Sequence, residues 1–233
     1  MVPLIHNWDL EVYLDRMHRA AILLGKAELA AHRAFFTDAA QTEFDAEHFC
    51  RYLAMIGMDL SLDFKAFEAP WRNDEFRHYV GFRRLFARLY PETGERDLAK
   101  QVEQTAPDFT PIQHLIPDEF HVLSAVVYDE ACTVKSYTSQ LKFYEGLGDP
   151  VFAEWIRHIA RDEVNHMRNA MAVLQTRHSP RLKSEFGALL DHFAEHDKSR
   201  PVYRNTFLFD HGSYSDEFID RVVARLKTQM SGR

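Results

Sequence analysis

Cysteine, glycine and proline are all scarce in this chain of 233 residues, and each shortage excludes a class of protein. The two cysteines, Cys50 and Cys132, are too few for a disulfide scaffold or for a zinc or rubredoxin-type iron site with four cysteine ligands. There are only nine glycines and nine prolines, and the hairpin dipeptides Asn-Gly and Asp-Gly are absent, which argues against a sheet protein. The sequence therefore favours an all-α fold.

Long apolar runs and a basic charge balance are missing as well. No run approaches the roughly 20 apolar residues that a membrane span needs, and the first residues lack the basic and apolar regions of a signal peptide. A formal net charge of −7 argues against a general nucleic-acid-binding protein. Hydrophobic residues make up 46% of the chain, enough for a core, so we expect a single domain over residues 1–233, located in the cytoplasm.

Apolar residues recur at helical spacing along most of the chain. We expect the first helix to begin after Asp9, a good N-cap residue, with an apolar stripe that reaches Phe35. A break is expected between Thr37 and Thr42, because one helix from 9 to 57 would be about 70 Å long. The next helices are expected before residue 57 and up to about residue 89, the latter kinked or interrupted at Pro70. Further helices are predicted over 118–144, 150–176, 181–198 and 215–230.

One short pattern, Asp-Glu-x-x-His, occurs in each half of the chain. Residues 74–78 read DEFRH, and residues 162–166 read DEVNH. Positions three apart lie on one face of a helix, so the glutamate and the histidine of each motif can bind one metal ion. The aspartate of each motif is a candidate acceptor for a hydrogen bond from a ligand imidazole, which would fix its tautomer.

A glutamate precedes each motif by a similar interval. Thirty residues separate Glu43 from Asp74, and 31 separate Glu130 from Asp162, as two antiparallel helices joined by a short turn require. Glu130 has apolar neighbours one and two turns away, so it is expected to be buried and to need a metal ion or another partner. Glu28 is the alternative to Glu43, because it lies centrally in the apolar stripe of the first helix.

Together these positions form a candidate ligand set for two metal ions. The six residues are Glu43, Glu75, His78, Glu130, Glu163 and His166. A glutamate from each of two helices and a Glu-x-x-His from each of two others is the ligand set of di-iron carboxylate bundles. Four carboxylates neutralise much of the charge of two iron ions, and two neutral imidazoles leave positions open for dioxygen. The predicted cofactor is therefore two Fe ions, with Mn as the alternative metal.

These residues resemble the ferritin-like superfamily of di-iron proteins. Residues 162–166, with Glu130 before them, are similar to the second half of rubrerythrins and related oxidases. Residues 74–83 resemble the Asp-Glu-x-Arg-His signature of arylamine N-oxygenases, and acyl-carrier-protein desaturases carry a similar motif. Two positions depart from the N-oxygenase pattern: Ile159 stands where a further histidine ligand is expected, with His158 one residue out of phase, and Asn165 replaces the arginine of the second motif. The resemblance covers roughly residues 28–176 and implies a ferritin-like four-helix bundle with additional flanking helices, together with oxygen activation at a di-iron centre.

The expected function is that of a non-haem di-iron oxidase or oxygenase. Such an enzyme uses dioxygen to oxidise a small organic substrate by hydroxylation, N-oxygenation, desaturation or oxidative cleavage. No flavin, nicotinamide or iron–sulfur motif is visible, so electrons are expected from an external donor, a ferredoxin or a reductase. The alternative is a ferroxidase or peroxidase that detoxifies iron or peroxide without an organic substrate. Neither nucleic acid nor a membrane is an expected partner, and a homodimer is left open.

Overall fold

The computed structural model describes residues 2–199, 207–211 and 214–231, and within these ranges the regular structure is helical, with no β-strand. The α-helices are α1 (Leu10–Arg19), α2 (Lys26–Ala31), α3 (Arg33–Met55), α4 (Leu62–Leu89), α5 (Glu95–Gln104), α6 (Glu119–Gly146), α7 (Pro150–Arg177), α8 (Ser179–Ser184), α9 (Phe186–Lys198) and α10 (Asp216–Ser231). A 3-10 helix spans Thr110–Leu115. The predicted all-α class is confirmed. Among the described residues, no helix combines the length and apolarity needed to cross a bilayer.

Four long helices form the centre of the molecule. α3 has 23 residues, and α4, α6 and α7 have 28 residues each. α3 packs against α4 and α6 packs against α7, while α4 also packs against α7 and so joins the two pairs. Short turns connect the members of each pair, and side chains cap the helices that follow. The Ser61 hydroxyl accepts from the Phe64 N–H at the start of α4, and the Asp149 carboxylate accepts from the Val151 N–H at the start of α7.

Pro70 does not interrupt α4, although the sequence raised that expectation. The helix begins at Leu62, eight residues before Pro70, and it continues to Leu89. A proline inside a helix leaves the carbonyl four residues earlier without its usual donor. Here that carbonyl belongs to Ala66, an exposed residue where water can take the place of the missing N–H.

The predicted break near residue 40 is wrong, and the chain turns earlier. α1 begins after Asp9 as predicted, but it ends at Arg19. The backbone is extended at Ala20 and again at Gly25, and α3 then continues without a break through residues 37–42. A backbone hydrogen bond of 2.8 Å from Leu23 N to Leu147 O ties the turning segment to the α6–α7 turn. This early turn removes the need for an overlong helix.

Two apolar clusters fill the interior, and a layer of buried polar residues lies between them. On α4, buried side chains from 64 to 71 belong to one cluster, and those from 79 to 89 belong to the other. On α7, the change occurs between residues 159 and 170. The two Asp-Glu-x-x-His motifs occupy these gaps. Charged groups with apolar packing on both sides are costly unless they are paired or bind ions.

Candidate metal centre

All six predicted metal ligands lie in this buried polar layer, and none is more than 5% exposed. Their ligand atoms form two groups, in each of which every atom lies within 4.8 Å of the others. The first group contains Glu43, Glu75, His78 and Glu163; the second group contains Glu75, Glu130, Glu163 and His166. Two carboxylates belong to both groups. Each of these buried groups could hold a metal ion.

Of the two alternatives for the first glutamate, the structure places Glu43 in the buried layer and Glu28 at the surface. Glu43 lies on α3 within the first group. Glu28 is exposed at the start of α2, where its Oε2 accepts a hydrogen bond of 2.9 Å from the Gly25 N–H. Glu28 caps a short helix, because α2 begins only after the turn at Gly25. The interval before the first motif was therefore a better guide than the apolar stripe.

Both motif histidines point Nδ1 towards the carboxylates. Nδ1 of His78 lies 3.1 Å from Oε2 of Glu43 and 3.4 Å from Oε1 of Glu163. Nδ1 of His166 lies 2.7 Å from Oε2 of Glu163 and 3.0 Å from Oε1 of Glu75. Each imidazole therefore points Nδ1 towards the glutamates of its group and turns Nε2 away from them.

The aspartates of the two motifs are exchanged between the helices. Nε2 of His78 on α4 lies 3.0 Å from Oδ2 of Asp162 on α7, and Nε2 of His166 on α7 lies 3.3 Å from Oδ2 of Asp74 on α4. Each Nε2–H can thus donate to a carboxylate, which leaves the lone pair on Nδ1. This is how proteins fix the tautomer and orientation of a metal-binding histidine.

Arg77 and the segment before α1 hold the two aspartates in place. The Arg77 guanidinium lies 2.9 Å from Asp74 and 2.8 Å from Asp162, so it bridges the two motifs. The Trp8 indole N–H donates to Oδ2 of Asp162 at 2.7 Å, and the Arg77 guanidinium lies 4.5 Å from the centre of the Trp8 ring. Nδ1 of His6 lies 3.1 Å from the other oxygen of Asp162. Residues 6–8 cover this side of the site, and no helical pattern in the sequence pointed to them.

The two carboxylates that are not shared each receive a hydrogen bond from an aromatic side chain. The Trp71 indole N–H donates to Oε1 of Glu130 at 2.8 Å, and the Tyr137 hydroxyl donates to Oε1 of Glu43. The other oxygen of Glu43, Oε2, lies 3.1 Å from Nδ1 of His78, and Oε1 of Glu130 lies 3.6 Å from Nδ1 of His166. Glu163 Oε1 is buried and accepts no hydrogen bond from the described residues, although Nδ1 of His78 lies 3.4 Å from it. A buried carboxylate oxygen without a donor fits a cation at this point.

Burial and mutual contact divide the carboxylates of the site by their pKa values. Burial raises the pKa of Glu43 and of Glu130 well above the usual value. Burial acts on Glu75 and Glu163 as well, but contacts with both imidazoles outweigh it and lower their pKa values. Burial would lower the pKa of the two imidazoles, yet the surrounding carboxylates raise it well above the usual value. Protons thus offset part of the negative charge, and bound metal ions would displace them.

Several other residues with ligand chemistry lie outside the two groups. The ring of His158 stacks on His6 at 5.0 Å, and its Nε2 pairs with the Tyr13 hydroxyl at 2.6 Å. Ile159, at the position of the further histidine in N-oxygenases, is packed in an apolar cluster. Cys50 and Cys132 are buried free thiols and belong to neither group. Within the described residues the donor set is therefore oxygen and nitrogen alone.

Comparison of the chain with protein-family models, with curated proteins and with solved structures finds no match. The chemistry of the site is therefore inferred from its donor atoms, their burial and their mutual distances.

Proposed function

We propose that this chain is a di-iron oxidase or oxygenase with a ferritin-like four-helix bundle at its centre, which uses dioxygen to oxidise a small organic substrate. The observation that carries the proposal is the pair of buried groups that share Glu75 and Glu163. Each group offers one imidazole and one carboxylate of its own. Four carboxylates carry four negative charges, which two divalent cations neutralise, so the loaded site would be close to neutral within an apolar interior.

The donor set favours iron, with manganese as the alternative. Carboxylate and imidazole ligands without thiolate suit Fe and Mn rather than copper(I) or an iron–sulfur cluster. Four protein side chains around each ion leave coordination positions open, as a reaction with dioxygen requires. When bound, two iron(II) ions supply the electrons that reduce dioxygen to a species able to oxidise a C–H or N–H bond.

The side chains around the ligands support that chemistry by fixing geometry and excluding water. Asp162 and Asp74 hold the imidazoles so that Nδ1 faces the ion positions. Trp71 and Tyr137 hold one oxygen of each unshared carboxylate. Apolar clusters above and below the layer keep bulk water away. The proposed roles are thus positioning roles, and the six ligands are the residues that would contact the metal ions.

A cavity beside the ligand helices supports the proposal that the substrate is a small organic molecule. It has a volume of about 1140 Å³ and lies between α6, α7 and α10. Its lining includes Ala131, Val164 and Met167, the sequence neighbours of three proposed ligands, while none of the six proposed ligands lines it. Half of the lining residues are apolar, four are Lys or Arg, and none is acidic. This composition favours a substrate with an apolar body and a negatively charged group.

Repeated turnover would need an external electron donor, which we propose to be a ferredoxin or a reductase. The test is the reaction of the iron(II)-loaded protein with dioxygen in a stopped-flow instrument. We expect about two iron ions per chain to be oxidised once, and the reaction to resume only when a reductant is added. Glu130→Ala should abolish this reaction, while Glu28→Ala, a change at an exposed residue, should leave it intact. Continuous oxidation of added iron(II) with formation of a mineral would contradict the proposal and favour iron storage.

A further inference from the structure

A second cluster of titratable groups, in which two members are buried and one is partly exposed, lies on another side of α6. It joins Asp129 on α6 to Asp210 and His211, which follow α9 in the chain, and their ligand atoms all lie within 4.8 Å of one another. Asp129 is 4% exposed and His211 is 5% exposed. Asp129 immediately precedes Glu130, but adjacent side chains on a helix point about 100° apart. The cluster is therefore separate from the first and second groups.

One carboxylate oxygen in this cluster is left without a partner. Oδ1 of Asp129 is buried and accepts no hydrogen bond from any residue that the structure describes. Nε2 of His211 is 3.9 Å away from it and lies 3.8 Å from Oδ1 of Asp210. Both distances are too long for hydrogen bonds. They are within the ~4.2 Å that separates two ligands on opposite sides of one transition-metal ion with bonds of about 2.1 Å.

The imidazole of His211 is already oriented as metal-binding imidazoles are. Its Nδ1 lies 2.9 Å from Oδ2 of Asp197, and its backbone N–H donates to the other oxygen of Asp197 at 2.9 Å. The Tyr128 hydroxyl also donates to Asp197, at 2.7 Å. With Nδ1–H donating to this fixed carboxylate, Nε2 is directed towards Asp129 and Asp210.

We propose that Asp129, Asp210 and His211 form a third, mononuclear site for a divalent transition-metal ion, separate from the paired centre. Two carboxylates and one imidazole suit Mn²⁺, Fe²⁺ or Zn²⁺. The ion would tie the segment 207–211 to the helix that carries Glu130. This site does not depend on the proposed oxidase function, since it shares no ligand with the paired centre.

The rival occupant of the site is a proton. Burial would lower the pKa of His211, but Asp197, Asp210 and Asp129 together raise it to about 10. Burial raises the pKa of Asp129 well above its usual value and that of Asp210 to about 7, so protons can also reduce the negative charge of this cluster. A proton on His211 still leaves Oδ1 of Asp129 without a close partner among the described residues. The spacing and this oxygen, rather than the charge, therefore favour the ion.

The test measures Mn²⁺ binding by equilibrium dialysis in a chain whose paired centre is disabled. Replacing both shared carboxylates, Glu75→Gln and Glu163→Gln, removes a ligand pair from each of the first two groups. We expect this chain still to bind Mn²⁺ and to lose at least tenfold in affinity when His211→Gln is added. His192→Gln, at an exposed position of α9, is the matched control and should change nothing.

Binding that is absent from the disabled chain, or that survives His211→Gln unchanged, would overturn the proposal. If circular dichroism shows that the disabled chain is unfolded, the same comparison is made in the native chain with Asp129→Asn. There the number of bound Mn²⁺ ions should fall by one, and an unchanged number would overturn the proposal. Failure of the paired centre to bind metal would leave this difference intact, so the two proposals fail separately.

Discussion

The exchange of aspartates between the two motifs makes Asp162→Asn an informative substitution. Asp162 is 1% exposed, and its Oδ2 lies 2.7 Å from the Trp8 indole nitrogen, 2.8 Å from Arg77 and 3.0 Å from Nε2 of His78. Asparagine offers one oxygen and one NH₂ group in place of two oxygens. Oδ1 of Asp162 also faces His6. In one orientation the NH₂ group of the amide faces Trp8, Arg77 and His78; in the other it faces Nδ1 of His6, and His78 keeps only a neutral acceptor.

The expected cost follows from the role of Asp162 in holding an imidazole. Removal of the hydrogen-bond partner of a metal-binding histidine typically weakens metal binding about 10- to 100-fold. That range corresponds to about 1.4–2.8 kcal/mol. Although Asp162 lies on the same helix as His166, the loss should fall on the ion held by His78, because that is the imidazole it contacts.

Two background variants separate the ions. Glu130→Gln disables the second group and leaves the first, while Glu43→Gln does the reverse. In a competition titration with a metal indicator, Asp162→Asn should weaken binding 10- to 100-fold in the Glu130→Gln background. In the Glu43→Gln background the loss should be smaller, because Asp162 reaches the second group only indirectly, through Arg77 and through the contact of His78 with the shared Glu163. Asp74→Asn is the matched control and should show the opposite pattern. Equal losses in both backgrounds, or a loss confined to the second group, would refute the crossed arrangement.

Three further outcomes follow from the same structure. Glu43→Ala should lower the iron content by at least one ion per chain, whereas Glu28→Ala should leave it unchanged, as metal analysis of the purified variants will show. Gly81→Ala should destabilise the chain in urea denaturation, because the added Cβ would lie 2.5 Å from a ring carbon of Trp155. Overpacking of this kind costs about 1–3 kcal/mol of the free energy of unfolding, against a gain of about 1 kcal/mol from replacing a helical glycine. Metal affinity should fall as the pH is lowered, because both imidazoles and the two unshared carboxylates have raised pKa values and bind protons in competition with the metal. The release of protons when Mn²⁺ is added to a weakly buffered solution measures this competition. A metal affinity that does not change with pH would contradict it.

The positions of the candidate ligands could be predicted because they depend on local regularities. The helical period sets Glu75 beside His78, and a short turn between antiparallel helices sets the interval back to Glu43. Both regularities are visible in the sequence without knowledge of the packing. Glu130 could be predicted to be buried because the residues one turn before and after it are apolar.

The surroundings of the ligands could not be predicted in the same way. The exchange of Asp74 and Asp162 depends on how α4 packs against α7, which no periodicity records. Trp8 lies in a segment without regular structure, so no pattern linked it to a site more than 150 residues away. His211 lies between α9 and α10, outside the helices that the sequence predicts. The predicted break near residue 40 failed because it was placed to limit helix length, whereas the extended residues at 20–25 determined where the chain turns.

The most direct test of the central claim compares the iron content of the native chain with that of the Glu75→Ala, Glu163→Ala double variant. Both residues belong to the first and the second group, so their removal should disable both ion positions at once. After expression with ample iron and equal purification, the native chain should hold about two more iron ions than the variant. Equal iron content in a folded variant would contradict the assignment of a dinuclear centre to this buried layer.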